Sequence, residues 1–173
     1  MKKMNFVTIA LSLFGAMMIS TLSAQKESPA ATAKGTVGGA TITIDYSSPS
    51  VRGRKIWGGL VPFGKAWRAG ANKATVFETD KDITVEGKPL KAGKYTLFAV
   101  PGEKEWEIIF NSETGQWGIK RTGEANFDPA KNALSVKVKP GKSASMNEKL
   151  TYAVTASGFA LQWENLDVPV KIK

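Results

Sequence analysis

The feature that most restricts this chain is a two-residue rhythm of apolar and polar side chains. Ile42, Ile44 and Tyr46 alternate with Thr41, Thr43 and Asp45, and Leu134, Val136 and Val138 alternate with Ser135, Lys137 and Lys139. Leu150, Tyr152 and Val154 alternate with Thr151, Ala153 and Thr155; Phe159, Leu161 and Trp163 follow, and Val168, Val170 and Ile172 close the chain. Successive side chains of an extended strand point to opposite faces, so this rhythm sets one face on a core and one toward water, as antiparallel sheets do. Residues 95–100 and 106–110 are apolar almost throughout and suit central strands covered on both sides. No window carries an amphipathic helical period beyond two turns.

Turn signals separate these runs. Glu86-Gly87-Lys88-Pro89 and Lys91-Ala92-Gly93-Lys94 flank short extended pieces, and Pro101-Gly102 breaks the chain before Trp106. All eight prolines fall in turns, tails or strand margins, where a missing amide donor is tolerated. About nine strands at this spacing predict an all-β, antiparallel β-sandwich, with a jelly roll as one form of it. There is no internal repeat, and residues 36–173 read as a single domain.

The first residues have the three-part pattern of a secretory signal peptide. Lys2 and Lys3 precede an uncharged, mostly apolar run from Phe6 to Leu22, which ends on the small residues Ser23 and Ala24. A retained membrane anchor is the alternative, since the run is near the lower limit of about 17 residues for a spanning helix; Thr8, Ser12, Gly15 and Ser20 weaken it. We expect a leader over residues 1–24, a flexible lead-in over 25–35, and a periplasmic or extracellular protein with no membrane span after cleavage. The chain has no cysteine, so it carries no lipid-attachment thiol, disulfide or thiolate chemistry. The leader holds two lysines and no acid, so residues 25–173 contain 22 basic and 15 acidic groups, a net of +7. Export makes nucleic acid an unlikely reader of that charge; lipid phosphate, acidic polysaccharide and small carboxylated or phosphorylated molecules are the anions outside the cytoplasm.

The charge is concentrated. Residues 47–76 hold Arg52, Arg54, Lys55, Lys65, Arg68 and Lys73 and no acid, nearly the whole excess. Three of the four arginines sit here, beside Trp57 and Trp67 and the glycines at 53, 58, 59, 64 and 70. A guanidinium is a rigid fork that matches a carboxylate or phosphate with two hydrogen bonds and stacks on aromatic faces. Indoles stack on sugar rings or bases, and Asn72 could orient a ligand through both donor and acceptor atoms. The expected binding residues are therefore Arg52, Arg54, Arg68, Asn72, Trp57 and Trp67. The competing reading buries both tryptophans in the core and pairs Arg52 and Arg54 with Asp45, Glu78 or Asp80. Loops carry sites more often than strands do, which favours function for the cluster as a whole.

Some chemistries are excluded by composition. The chain has no histidine, so imidazole bases and His-containing triads are unavailable, and without His or Cys neither zinc nor copper sites are expected. Glu78, Asp80 and Asp82 form an acidic run, but its spacing is not that of a calcium loop. Glu103, Glu105, Glu107, Glu113, Glu124 and Asp128 leave carboxylate-pair hydrolysis formally open, and Ser50 with Lys55 matches no known dyad motif. No phosphate-cradling loop is present. No cofactor or metal is expected.

Longer ordered stretches carry a family likeness. Ser48-Pro49-Ser50-Val51-Arg52-Gly53-Arg54, Trp67-Arg68-Ala69-Gly70-Ala71-Asn72, residues 92–102 and Trp106 resemble the exported bacterial family called domain of unknown function 2911. The likeness runs from about Val37 to the end. It implies a secreted or periplasmic protein of Gram-negative bacteria with no assigned activity. One departure follows Trp117-Gly118, where Ile119-Lys120-Arg121-Thr122 replaces an expected aromatic run.

The leading expectation is a β-sandwich that binds an anionic small molecule or polysaccharide through residues 47–76. A carboxylate-dependent hydrolase with arginine-stabilised charge, or a cell-envelope interaction module with an apolar patch, are the alternatives. A pocket with two carboxylates beside the arginines would separate the hydrolase from the binder.

Overall fold

The computed structural model describes residues 28–173; the expected leader (1–24) and residues 25–27 lie outside the described residues. Ten strands follow one another: β1 (Ala30–Val37), β2 (Ala40–Ser47), β3 (Val76–Thr79), β4 (Ile83–Val85) and β5 (Lys88–Leu90), then β6 (Gly93–Val100), β7 (Trp106–Asn111), β8 (Asn132–Val138), β9 (Gly141–Thr155) and β10 (Gly158–Lys171). The protein is all-β and every strand pair is antiparallel. Among the described residues no helix is long and apolar enough to cross a membrane.

One layer is a six-stranded sheet in the order β1-β2-β3-β6-β7-β8. The other is built from the β9–β10 and β4–β5 hairpins. Thr84 N donates to Lys173 O (2.7 Å) and Lys173 N to Thr84 O (3.0 Å), which joins β4 to the chain end. β10 is sharply bent. Glu164 sits at φ 53 between two register shifts, and Ile172 N donates to Ser157 O at 2.9 Å, so the strand's end returns beside its start. The apolar runs at 159–163 and 168–172 are thus two limbs of one strand. Sequence-adjacent strands pair in a meander interrupted by β4–β5, an order different from the interleaved Greek keys of a jelly roll.

The alternation has its expected cause. Ile42, Ile44, Phe77, Leu97, Trp106 and Phe110 from the larger sheet meet Leu150, Leu161, Trp163 and Val168 from the other layer, all buried in one apolar core. Burial of each large side chain contributes about 1.5–3 kcal/mol, which is what sets strand register here.

The lead-in expectation over 25–35 requires correction, because residues 30–35 belong to β1. They pair with β2 from Ala30↔Ser47 through Val37↔Ala40. On the apolar face of β1 the small residues Ala33 and Gly35 precede Val37, so over residues 30–35 the rhythm is faint. Small size is what the position needs: a Cβ on Gly35 would stand 2.8 Å from Val154 Cγ1 of β9. Backbone pairing and close interlayer approach hold the strand where hydrophobicity alone would not.

Candidate functional site

The chain leaves the larger sheet after β2 and returns at β3, and residues 48–75 between them build most of a cleft. Backbone pairing first ties this segment to β9. Val51 N donates to Glu148 O (2.7 Å) and Leu150 N to Pro49 O (2.9 Å), while Ser48 Oγ donates to Leu150 O (2.7 Å). A tight turn follows, with Arg54 N donating to Val51 O at 3.0 Å and Arg52 and Gly53 at φ 50 and 66. Two successive left-handed residues make this a mirror-image turn of the I′ kind, where arginine is an unusual occupant of the first central position. Arg52 N donates to Glu148 Oε1 at 2.9 Å, which fixes the turn against β9.

Further along, Trp67 and Ala99 of β6 exchange backbone hydrogen bonds of 2.8 Å each. Ala69 and Asn72 then adopt φ 51 and 54. Such backbone costs about 1–3 kcal/mol per residue unless its surroundings over-determine it. They do. The Ala69 carbonyl accepts from Tyr152 Oη (2.8 Å) and Thr75 Oγ1 (3.0 Å), and Asn72 Nδ2 donates to Ser28 O at 3.0 Å and to Ser47 Oγ at 3.4 Å. Tyr152 is wholly buried, and loss of hydration, reinforced by Tyr46, pushes its phenol far above the usual tyrosine range, so it stays a donor.

The resulting cleft has a volume of about 500 Å³. Arg52, Arg54, Arg68, Asn72 and Trp67, five of the six residues the sequence singled out, line it. Ser50 and Leu60 of the same segment join them, as do Ser28, Ile119, Gly123 and Trp163 from segments that nothing in the sequence tied to it. Among the described residues no aspartate or glutamate lines the cleft. Arg54 is partly committed to its own loop, with Nε donating to Val51 O (3.1 Å) and Nη2 to Ser50 O (2.6 Å). Arg68 is half-buried; Nη1 donates to Trp117 O at 3.3 Å and its guanidinium carbon lies 5.8 Å from the centroid of the Trp117 ring. Desolvation lowers the Arg68 pKa, yet a guanidinium stays charged at any physiological pH.

Among the described residues the ion pairs lie elsewhere. The four among the described residues are Lys91–Asp82, Lys94–Glu78, Lys131–Glu113 and Lys137–Glu105, all made by lysine. Arg54 and Arg68 have none among the described residues. The acids proposed as partners are engaged otherwise: Asp45 accepts from Thr32 Oγ1, Asp80 from Thr41 N, and Glu78 pairs with Lys94. Asp82 holds Lys91 and the amide of Ala92, so the acidic run serves turns and surface pairs.

Trp57 does not line the cleft. It is 9 % exposed and sits in the core, edge-on to Trp106 (4.8 Å between centroids), Trp163 (5.7 Å) and Trp67 (6.0 Å), so the expected stacking role is withdrawn. Trp67 stacks on Trp163 with their rings 19° apart and donates Nε1 to Gly70 O at 3.0 Å. The indole nitrogens of Trp57, Trp106 and Trp163 have no hydrogen-bond partner among the described residues. Edge-to-face packing turns positive ring edges toward negative faces and compensates part of that loss. Trp57 supports the cleft from behind.

The opposite rim is a small hairpin over 118–126, closed by Lys120 N to Glu124 O (2.8 Å) and Asn126 N to Gly118 O (3.0 Å). Gly118 lies at φ +88, and a Cβ there would approach both Arg68 Cβ and Ala74 Cβ to 2.8 Å. It is the residue that lets this rim close on Arg68. The departure at 119–122 therefore falls within the site's border: Ile119 itself lines the cleft.

No curated protein and no solved structure matches the chain. The sequence pattern of the family described as "Protein of unknown function (DUF2911)" matches residues 28–172, which takes in every strand and both loops of the cleft. The chain belongs to the DUF2911 family.

Proposed function

We propose that this is an exported binding protein that takes a small anionic ligand in the arginine-lined cleft. One observation carries the reading: among the described residues, Arg54 and Arg68 face a cleft lined by no carboxylate and form no ion pair, while lysines make all four ion pairs. Arg68 is half-buried, Arg54 is exposed, and guanidinium groups with no counter-charge among the described residues favour an external one. Two left-handed non-glycine residues, Arg52 and Asn72, line the cleft, and a third, Ala69, lies between its lining residues Arg68 and Gly70; backbone held against its preference is typical of pre-organised sites. The leader-like composition of residues 1–24 supports a periplasmic or extracellular setting.

Carboxylate-pair hydrolysis has no such support, since it needs two acids flanking the scissile bond and none of the described residues lining this cleft is an acid. An interaction module would favour a flat apolar patch over a concave charged one. The test is a backbone-amide NMR titration with inorganic phosphate and citrate. Shifts confined to residues 50–54, 67–72 and 118–123, and abolished in an Arg54→Ala/Arg68→Ala double variant that keeps its fold, are expected. Absence of shifts there with both anions would refute the reading.

A further inference from the structure

We propose that the ligand is an acidic saccharide, a pyranose carrying a carboxylate or phosphate, and that Trp117 is the residue that meets the sugar face. This rests on the anion-binding reading and narrows it. Size gives the first argument. A cleft of about 500 Å³ is far larger than a bare carboxylate or phosphate needs and falls in the range of small-molecule sites, about 300–1,000 Å³.

The rim gives the second. Four large apolar side chains stand exposed among the described residues, and three of them lie beside the cleft: Leu60 (49 %) and Phe63 (39 %) in the 48–75 segment, and Trp117 (52 %) directly before the 118–126 hairpin, outside the lining itself. Leu60 lines the cleft itself. A bare anion has no use for apolar surface, whereas one face of a pyranose is a patch of C–H groups.

The third argument is the pairing of Trp117 with Arg68. The guanidinium carbon is 5.8 Å from the indole centroid, and the Trp117 carbonyl accepts from the same side chain. A π face and a cation are thereby held side by side. Polarised C–H groups pack on the negative face of an indole, while an acid group on the same sugar reaches the fork of the neighbouring arginine. The Ser50 hydroxyl, which makes no hydrogen bond among the described residues, and the Asn72 amide offer the mixed donors and acceptors that sugar hydroxyls require.

Isothermal titration calorimetry with glucuronate, glucose 6-phosphate, glucose and inorganic phosphate tests this directly. An acidic sugar should bind about tenfold or more tighter than either glucose or phosphate, because the ring and the anion contribute together. Trp117→Ala should lower acidic-sugar affinity by a clearly larger factor than phosphate affinity, and Trp117→Tyr should restore the difference; Arg68→Ala should weaken acidic sugars and phosphate alike. Glucuronate against glucose 6-phosphate tells which acid group is preferred. If phosphate binds as tightly as both acidic sugars, or if Trp117→Ala binds them like the parent, the saccharide proposal falls while anion binding stands. If no anion binds at all, the broader reading falls with it.

Discussion

The phenol of Tyr152 donates a 2.8 Å hydrogen bond to the carbonyl oxygen of Ala69, joining β9 to the wall of the cleft. Thr75 Oγ1 donates to the same oxygen at 3.0 Å. Ala69 is left-handed, at φ 51, so two buried donors hold a backbone turn that alanine disfavours. Either donor alone still satisfies the carbonyl. Tyr152→Phe and Thr75→Val should each destabilise by about 1–2 kcal/mol in urea unfolding. Together they leave a buried acceptor unpaired, and the double variant should lose more than the sum of the singles. Simple additivity would show that Ala69 is held by something else.

The same phenol predicts an alkaline limit. Burial keeps Tyr152 neutral in the folded chain well beyond the ordinary tyrosine range. Its contribution to stability is therefore complete below about pH 10 and declines as pH rises above that, by about 1.4 kcal/mol per unit, because only the unfolded phenol ionises there. Tyr152→Phe should flatten the fall in unfolding free energy above that pH. Spectrophotometric titration should find one phenol that ionises only when the chain unfolds.

Gly118→Ala probes the opposite rim. Its φ of +88 and the 2.8 Å approach of an added Cβ to Arg68 and Ala74 both oppose the substitution. A loss of about 1–3 kcal/mol is expected in thermal unfolding, together with weaker anion binding as Arg68 is displaced. Normal affinity in a destabilised variant would separate the hairpin from the site.

Arg54→Lys keeps the charge and removes the fork. Lysine cannot reproduce the paired bonds from Nε to Val51 O and from Nη2 to Ser50 O. Anion affinity should drop by about tenfold and the 50–54 turn should become more sensitive to proteolysis, which calorimetry and limited digestion would record. Equal affinity would mean that charge alone matters at this position.

Trp57→Phe distinguishes support from contact. The indole is enclosed by Trp67, Trp106 and Trp163, so shrinking it should cost about 1–3 kcal/mol. Affinity in the folded fraction should change little, since Trp57 does not line the cleft. A large selective loss of binding would return it to the site.

The rhythm of Ile42, Ile44 and Tyr46, or of Leu150, Tyr152 and Val154, made the strands readable, because each side chain's polarity reports which face it occupies. Ala33 and Gly35 hid β1 for the opposite reason: interlayer closeness, not hydrophobicity, selects them. The clustering of Arg52, Arg54 and Arg68 in one acid-free segment was equally plain. Their separation from Trp57 was not, because an indole beside arginines reads alike whether it faces solvent or core. Trp163, Ile119 and Ser28 reach the cleft only through the bend of β10, the 118–126 hairpin and the pairing of β1, and such long-range closure leaves no local trace in the chain.

The indoles of Trp57, Trp67, Trp106 and Trp163 are close enough to behave as one coupled chromophore, with neighbouring centroids 4.8–6.0 Å apart. Near-ultraviolet circular dichroism should show a strong exciton signature for so tight a group. Two of its members, Trp67 and Trp163, border the cleft, so an arriving molecule would perturb the whole signal. The fold thus contains its own optical reporter of occupancy, and an unlabelled library could be screened against it.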